Sequence, residues 1–511
     1  MLRRLTIAQT LTIILWLLLP VIAVRVQNDP DVWWQLRSGE LNLSQGRIVQ
    51  EESFSYTCPQ AEGCAASRIQ HEWLAQPVLV LFWSLLGHAG LSLYAVLCAT
   101  VGMGIVYLTM SGGPYLKAFL IVLGAFSASI FFGARPLMLS FILATVTMWI
   151  VYGFHRGGHT RRLWILPPMF ALWGNLHGGW PQGALILIAA AAGMLLNFAV
   201  FRRVSPRMAT ESDSTDSAPA PDSARAGFSR VAAFLIPCVL AAVLIPLLNP
   251  YGMDVLSVPI DTIGFDFQPQ FIKEWRPPEL SRPDMWPFFA LLALTALSMA
   301  LDWRRADFVE IVMVAGTAYM ALTSARHIAF FSTVALIPLS IHAAQLGADR
   351  GWYVPRSRRV TPARARLNLA LIIIVGLTSL LYFVMRVAPA NANVLLRAAL
   401  PVDAVEAMKE IRPPQPMLNS WNFGGYLIYF MRDYPVFIDG RADLYRAFTW
   451  TYIRILQAED PFWRDEFAKW NIQSVLMEPN TPIIEVLRTE PGWTVVYEDD
   501  TAVLLVRDGD H

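Results

Sequence analysis

Long apolar runs separated by short polar loops fill the chain from residue 5 to residue 388. A helix needs roughly 17–25 apolar residues to cross a bilayer. By that measure the sequence predicts about eleven transmembrane helices, over 5–26, 90–111, 117–133, 136–153, 163–176, 182–201, 231–248, 286–302, 308–325, 328–346 and 368–388. The apolar segment 72–87 is too short to count with them and is expected to lie in the membrane interface. From about Pro389 the pattern changes. Val402 to Ile411 has helical spacing, Pro435 to Asp439 and Ser474 to Glu478 are expected as buried strands, and Trp493 to Val506 alternates like a hairpin turning at Glu498-Asp499-Asp500. The expected fold class is therefore a polytopic α-helical membrane protein: a transmembrane module over 1–388, with a first loop at 27–89, and a C-terminal α/β domain over 389–511.

Cytoplasmic loops of membrane proteins carry the excess Lys and Arg. With the N-terminus inside, the inside loops are 155–162, 202–230, the Arg304-Arg305 turn, and the run holding Arg350, Arg356, Arg358, Arg359, Arg364 and Arg366. That parity satisfies the rule, and it fails if 72–87 crosses the membrane. The inside stretch 204–230 is rich in Ser, Ala, Pro and Asp and is expected as a flexible linker. The C-terminal domain then lies outside, which for a bacterial inner membrane is the extracytoplasmic side.

Composition agrees with a membrane location: 55% of residues are hydrophobic, only 15% are charged, and there are 18 Trp. A net charge of +1 says nothing about nucleic acid; no basic domain or nucleic-acid motif appears, so the expected partners are lipids and lipid-linked molecules, with no nucleic acid. The first run is too long for a signal-peptide core and is expected to be a retained span. Cys98 and Cys238 lie in apolar runs as packing residues, whereas Cys58 and Cys64, in the first loop, could pair in an oxidising compartment.

Candidate chemistry collects on the outer side. Directly after the first run stands Asn28-Asp29-Pro30-Asp31-Val32-Trp33-Trp34. Carboxylates beside a bilayer are costly without a task, so Asp31 and Asp29 are the leading catalytic candidates. Trp33 and Trp34 alone would mark only an interfacial belt; beside the two Asp they are candidates for substrate contact. His71-Glu72 could point back at Asp31 in a metal or substrate site, although a Glu opening a helix is stabilised by the helix dipole in any case. Asn175-Leu176-His177-Gly178-Gly179 ends a span with glycines that admit close approach and with Asn175 and His177 as substrate contacts, or else as a glycine-rich cap. Glu274, before Trp275, joins them. Arg135, Arg326 and His327 sit at outer span ends where the charge rule discourages Arg; a lipid phosphate would explain them through charge-assisted bonds, and snorkelling to headgroups is the plainer alternative. The C-terminal domain has no G-x-G-x-x-G, P-loop or nucleophile elbow. Its polar clusters are 419–426 and 439–445, and Asp439-Gly440-Arg441 is expected to be a strand-ending turn with an internal ion pair.

An acidic first loop, a many-span body and a trailing extracytoplasmic domain resemble the GT-C superfamily of membrane glycosyltransferases, in layout the protein O-mannosyltransferases and lipid A aminoarabinose transferases. Asp29-Pro30-Asp31-Val32-Trp33 stands where those enzymes carry an Asp-Glu pair, without the adjacent Glu, so which Asp is the counterpart stays open. The set Asp-Pro-Asp-x-Trp-Trp, His-Glu-Trp-Leu-Ala-Gln, Asn-x-His-Gly-Gly and Phe-Ile-Asp-Gly-Arg-Ala-Asp-Leu-Tyr is also similar to a group of bacterial membrane proteins assigned to that superfamily. The resemblance implies transfer of a sugar from a polyprenyl-phosphate donor to a glycan, lipid or protein acceptor. In that reading Asp31, with Asp29 second, is the base, Arg326, His327 and Arg135 clamp the phosphate, and a divalent metal held by the acidic loop is an open option. The alternatives are a glycan ligase or polymerase with a diphosphate-linked donor, and a transporter or non-catalytic scaffold.

Overall fold

A computed structural model describes residues 5–58, 60–65, 69–204, 221–263, 273–305, 307–352 and 360–509. Every expected span contains a helix: Ile7–Ala23, His88–Thr109, Pro114–Ala128, Leu137–Gly157, Leu166–Leu176, Trp180–Val204, Pro221–Leu247, Trp286–Leu301, Phe308–Thr323, Ile328–Asp349 and Pro362–Val387. Among the described residues, eight helical stretches are long and apolar enough to cross a membrane; Ile7–Ala23, Leu166–Leu176 and Phe308–Thr323 are shorter. The protein is a multi-pass membrane protein. The run 163–176 departs furthest from expectation, because Pro167 and Pro168 lack an N–H and fit only a first helical turn. The α-helix therefore starts at Leu166, behind a 3-10 segment Thr160–Ile165. At their respective rises the two segments together reach about 28 Å, near the hydrocarbon thickness.

Two further boundaries shift. The helix expected over 72–87 begins at Gln76 and ends at Leu86, because Pro77 fits the first turn; His71 and Glu72 lie in the turn before it. The stretch expected as a linker is partly helical: Trp180–Val204 and Pro221–Leu247 both run into it, and 205–220 lie outside the described residues. Arg356, Arg358 and Arg359 also fall outside them.

Ile328–Asp349 runs through the centre of the body, with every residue from Phe330 to His342 buried. Small groups let neighbours close on it. Gly124 leaves room for Leu336, where a Cβ would come within 2.4 Å, and the Ser127 and Ser332 hydroxyls bond at 2.8 Å. At one end of this helix His342 is buried between Asp302 (2.7 Å) and Glu310 (3.0 Å), and Glu310 also pairs with Arg156. At the other end lie Arg326, the first loop and the C-terminal segment.

That segment carries a four-stranded sheet: β1 Met417–Asn419, β2 Ser474–Met477, β3 Trp493–Glu498 and β4 Val503–Arg507, in the order β1-β2-β4-β3. β1 and β2 run parallel, the remaining pairs antiparallel, and a register shift at Val495 and Tyr497 bends the hairpin. The helix Val402–Ile411 forms where its spacing placed it. Pro435 to Asp439, expected as a strand, joins no ladder: Val436 to Asp439 are buried but Pro435 is exposed, and Val436 makes a single bridge to Ser55. Side chains occupy the positions that a neighbouring strand would take. Asn419 accepts from the Phe437 N–H (2.7 Å) and donates to the Ile438 carbonyl (2.7 Å), and Thr57 donates to the Phe437 carbonyl (2.6 Å). The first loop is thus built into the C-terminal segment. Cys58 and Cys64 pair there as a disulfide, with Cys58 in one core with Phe437, Tyr445 and Phe448.

Candidate functional site

The site grows from the N-terminus of the helix Asp31–Gln45. Asp29 accepts the Asp31 backbone N–H on Oδ1 (3.0 Å), satisfying one of the free donors at that helix end. Its other oxygen, Oδ2, lies 2.6 Å from Arg135 Nε in an ion pair. Asp29 is consequently committed on both oxygens. Asp31 points elsewhere: Trp34 donates its indole N–H to Asp31 Oδ1 at 3.0 Å, fixing the carboxylate against the first turn. Trp33, one residue earlier, faces the core and packs edge-on against Trp83, His88 and Tyr426 with centroids 5.4, 5.6 and 5.4 Å away. It anchors the helix and does not line the site.

Arg135 and Arg326 converge on Glu274. Both terminal nitrogens of Arg135 lie 3.4 Å from Glu274 Oε2, and Arg326 Nη1 lies 4.0 Å from Oε1. The Arg326 guanidinium also sits 4.8 Å over the Trp275 ring. The fixed charges run Asp31, Asp29, Arg135, Glu274, Arg326. Burial pushes the Asp31 carboxyl up to about 8, and the Asp29 charge adds to this against the opposing pull of Arg135 and the Trp34 hydrogen bond. Asp29 in turn raises Arg135. Glu274 is pushed upward by burial, yet Arg135 and Arg326 outweigh that and hold it lowered.

Arg326 is among the residues lining a largely apolar cleft with Phe131, Phe132, Met138, Phe141, Phe330 and Thr333. His327 follows it, with Nδ1 buried and without a hydrogen-bond partner.

His71, Glu72 and His177 form a second group. Glu72 Oε1 lies 3.5 Å from His177 Nε2 and 3.7 Å from His71 Nε2, and its other oxygen accepts from Gln35, one turn along the helix from Asp31. Nδ1 of His177 accepts from the Gly179 N–H (2.9 Å) and lies 2.7 Å from Ser140 Oγ, which itself accepts from Trp173 Nε1. That chain places the ring proton of neutral His177 on Nε2, facing Glu72. Burial, with His71 next, holds His177 well below its usual range. A Cβ on Gly179 would come within 2.6 Å of both His177 Nδ1 and Ser140 Oγ, so the glycine is what admits this contact. No hydrogen bond or ion pair joins Glu72 to Asp31 among the described residues.

Asn175 is used structurally. It accepts from Trp73 Nε1 (3.0 Å) and Asn249 (3.2 Å) and donates to the Ala171 and Leu248 carbonyls. Among the described residues, no three His, Cys, Asp or Glu side chains gather as a metal-ligand set, and the carboxylate of Asp29 already holds a guanidinium.

Sequence reasoning passed over Glu52 and Gln35, polar residues in a loop and a helix with no motif around them. Glu52 turns out to be paired with Arg441 through two bonds of 2.7 and 3.0 Å. Arg441 also forks onto Asp439 (2.8 and 2.6 Å), the internal ion pair expected of that turn, and Tyr445 donates to Asp439 at 2.8 Å.

No protein-family model matches the chain, and no curated protein matches it. Solved structures do. The oligosaccharyltransferase of Archaeoglobus fulgidus, tethered with an acceptor peptide, superposes with a TM-score of 0.53 at 12% identity over 91% of this chain and 68% of that one. ArnT from Cupriavidus metallidurans, bound to undecaprenyl phosphate, gives 0.47 at 14% identity over 96% and 95%. The arabinofuranosyltransferase AftD from Mycobacteria gives 0.49 at 13% identity over 98% of this chain and 41% of its own. At these identities the likeness is one of fold: the chain shares its overall fold with the Archaeoglobus fulgidus oligosaccharyltransferase.

Proposed function

We propose that the protein transfers a sugar from a polyprenyl-phosphate donor to a hydroxyl-bearing acceptor, at the membrane face where the first loop and the C-terminal segment meet. One observation supports this reading: Arg326 is among the residues lining a largely apolar cleft, and an ion-pair series from Arg326 leads through Glu274 and Arg135 to Asp29, which in turn accepts the Asp31 backbone N–H. A lipid chain in the cleft would present its phosphate to Arg326, Arg135 and His327, with the sugar beyond it toward Asp31. In the transfer, the acceptor oxygen bonds to the anomeric carbon as the bond from that carbon to the phosphate oxygen breaks. The acceptor proton passes to Asp31, and the polyprenyl phosphate leaves with the electron pair, its charge met by the guanidinium groups. Asp31 suits the base better than Asp29, whose two oxygens already serve Arg135 and the helix end.

The deciding experiment is binding and turnover in reconstituted protein with polyprenyl monophosphate and its diphosphate analogue compared. Tighter binding of the monophosphate, and transfer from monophosphate-linked sugar, support the reading. Preference for the diphosphate would favour a ligase or polymerase in its place, and binding of neither would remove the lipid donor.

The orientation follows from the same reading and from the disulfide in the first loop, which suits an oxidising compartment. We expect a cysteine placed at the exposed Trp352, in a Cys98→Ala, Cys238→Ala background, to be labelled by impermeant maleimide only in inverted vesicles of a bacterial inner membrane. Labelling in right-side-out cells would reverse the orientation.

A further inference from the structure

A close approach to Asp31 comes from the C-terminal segment. Gly440 lies against its carboxylate so tightly that a Cβ there would sit 2.0 Å from Asp31 Oδ1 and 3.1 Å from Cγ. Gly425 approaches the preceding residue in the same manner, with its Cβ position 2.2 Å from the Pro30 carbonyl oxygen. Gly424 in turn lets the helix Trp421–Phe430 close on Ile438 and Asp439, where a Cβ would come within 2.3 Å of a carbonyl. Real Cβ atoms do not tolerate such distances, so three backbone steps of the C-terminal segment are free of side chains where they meet the Asp-Pro-Asp turn or support that meeting. Gly440 is fixed by its neighbours on either side. Asp439 and Arg441 are buried and forked together, and Arg441 makes a second fork onto Glu52 of the first loop. Two planar forks from one guanidinium leave it little freedom, and a lysine could reproduce neither.

We propose that Gly440 and Arg441 are positioning residues for Asp31: the Gly440 backbone covers the carboxylate on its Oδ1 side and limits the access of water to it, and the Asp439–Arg441–Glu52 clamp holds that cover in register with the first loop. The proposal rests on the reading of Asp31 as the base. It makes the C-terminal segment part of the reacting site, through contact with the base and without contact to the donor. Glycine is required at 440 because any side chain would turn Asp31 out of its seat toward solvent, where a carboxyl returns to its ordinary range. The charged groups acting on Asp31 are Asp29, Arg135 and Glu274, and none of them changes in the variants below.

The test compares Gly440→Ala and Arg441→Lys with Asp31→Asn, measuring polyprenyl monophosphate binding, kcat and the pH profile of kcat/KM. Gly440→Ala is expected to bind donor as the unaltered protein does and to lose kcat by ~10²-fold, the cost of displacing a reacting group by about 1 Å. Its acidic limb should move to lower pH as Asp31 regains water. Arg441→Lys should move the limb the same way with a smaller loss. Should Gly440→Ala fail to bind donor, Arg441→Lys decides. Donor-binding variants that keep both kcat and the limb overturn the positioning role, and so does a loss of kcat with the limb unmoved, which marks a merely structural effect. Asp31→Asn separates the two readings: inactive Asp31→Asn beside unaffected Gly440→Ala sinks only the positioning role, whereas active Asp31→Asn sinks the base itself.

Discussion

Replacing Asp31 by Asn should cut sugar transfer by ~10²–10⁴-fold, the contribution of a positioned base, while the helix Asp31–Gln45 stays folded. Asn retains an oxygen to accept the Trp34 indole N–H, so the geometry is preserved and only proton acceptance is lost. Because the carboxyl is pushed up to about 8, the unaltered protein should show kcat/KM rising about tenfold per pH unit below 8 and levelling above it. The variant should show no such limb. Stability gives an independent check of the same shift. The folded pKa lies above the unfolded one, so the folded state holds the Asp31 proton more tightly. Its stabilising contribution is complete below about pH 4 and is lost as pH rises through about 8. Asp31→Asn escapes that loss and should melt higher than the unaltered protein above pH 8, while remaining inactive. A variant that melts lower at every pH, or that turns over normally, would contradict the assignment.

Arg326→Gln should weaken polyprenyl monophosphate binding roughly ten- to more than a hundred-fold, from the ~1.5–3 kcal/mol of a lost charged hydrogen bond. Gln is shorter and keeps some hydrogen bonding but lacks the charge and the fork. Glu274 sharpens the expectation: with Arg326 gone it still has Arg135 at 3.4 Å, so the change removes a cation without stranding a carboxylate. Arg305 offers the control. It pairs with Asp302 (3.0 Å) and Asp349 (2.6 Å) at the opposite end of the bundle, and Arg305→Gln should leave donor affinity unchanged. Equal affinity in the two variants would place the phosphate elsewhere and leave Arg326 as a side chain stacked on Trp275.

Much of the architecture is legible in the sequence because one solvent rule governs it: an apolar run in lipid has to satisfy its backbone internally, and so it becomes a helix. The errors sit where local chemistry overrides that rule, at Pro77 and at Pro167-Pro168, which reset helix starts, and at Pro435 to Asp439. There the apolar pattern was right about burial, but Asn419 and Thr57 supply the hydrogen bonds that a strand would have supplied. The site was legible one residue at a time. Charge placement singled out Asp29, Asp31, Arg135, Glu274 and Arg326, and the fold brings these together; the same rule could not say that Asp29 would be consumed by Arg135 and leave Asp31 apart. Trp33 and Asn175 show the reverse, polar or amphipathic side chains at suggestive positions that packing and internal hydrogen bonds absorb. Glu52 carries no local signal, and the Asp439-Gly440-Arg441 turn is visible in the sequence only as a turn, since the meeting of Gly440 with Asp31 exists only once distant segments meet.

That meeting sets an order on the protein's own making. Glu52 and Arg441 are 389 residues apart in sequence, and contacts so remote close late, after the intervening helices have been placed. The first loop emerges early in synthesis, yet its acid has no cover from Gly440 until the last part of the chain has been delivered to the same side of the membrane and has folded onto it. On the proposed reading, a chain still lacking that segment would leave the Asp31 carboxylate open to water. If Asp31 is the base, the C-terminal segment sets the moment at which it can act, once the helices between that segment and the first loop are in place.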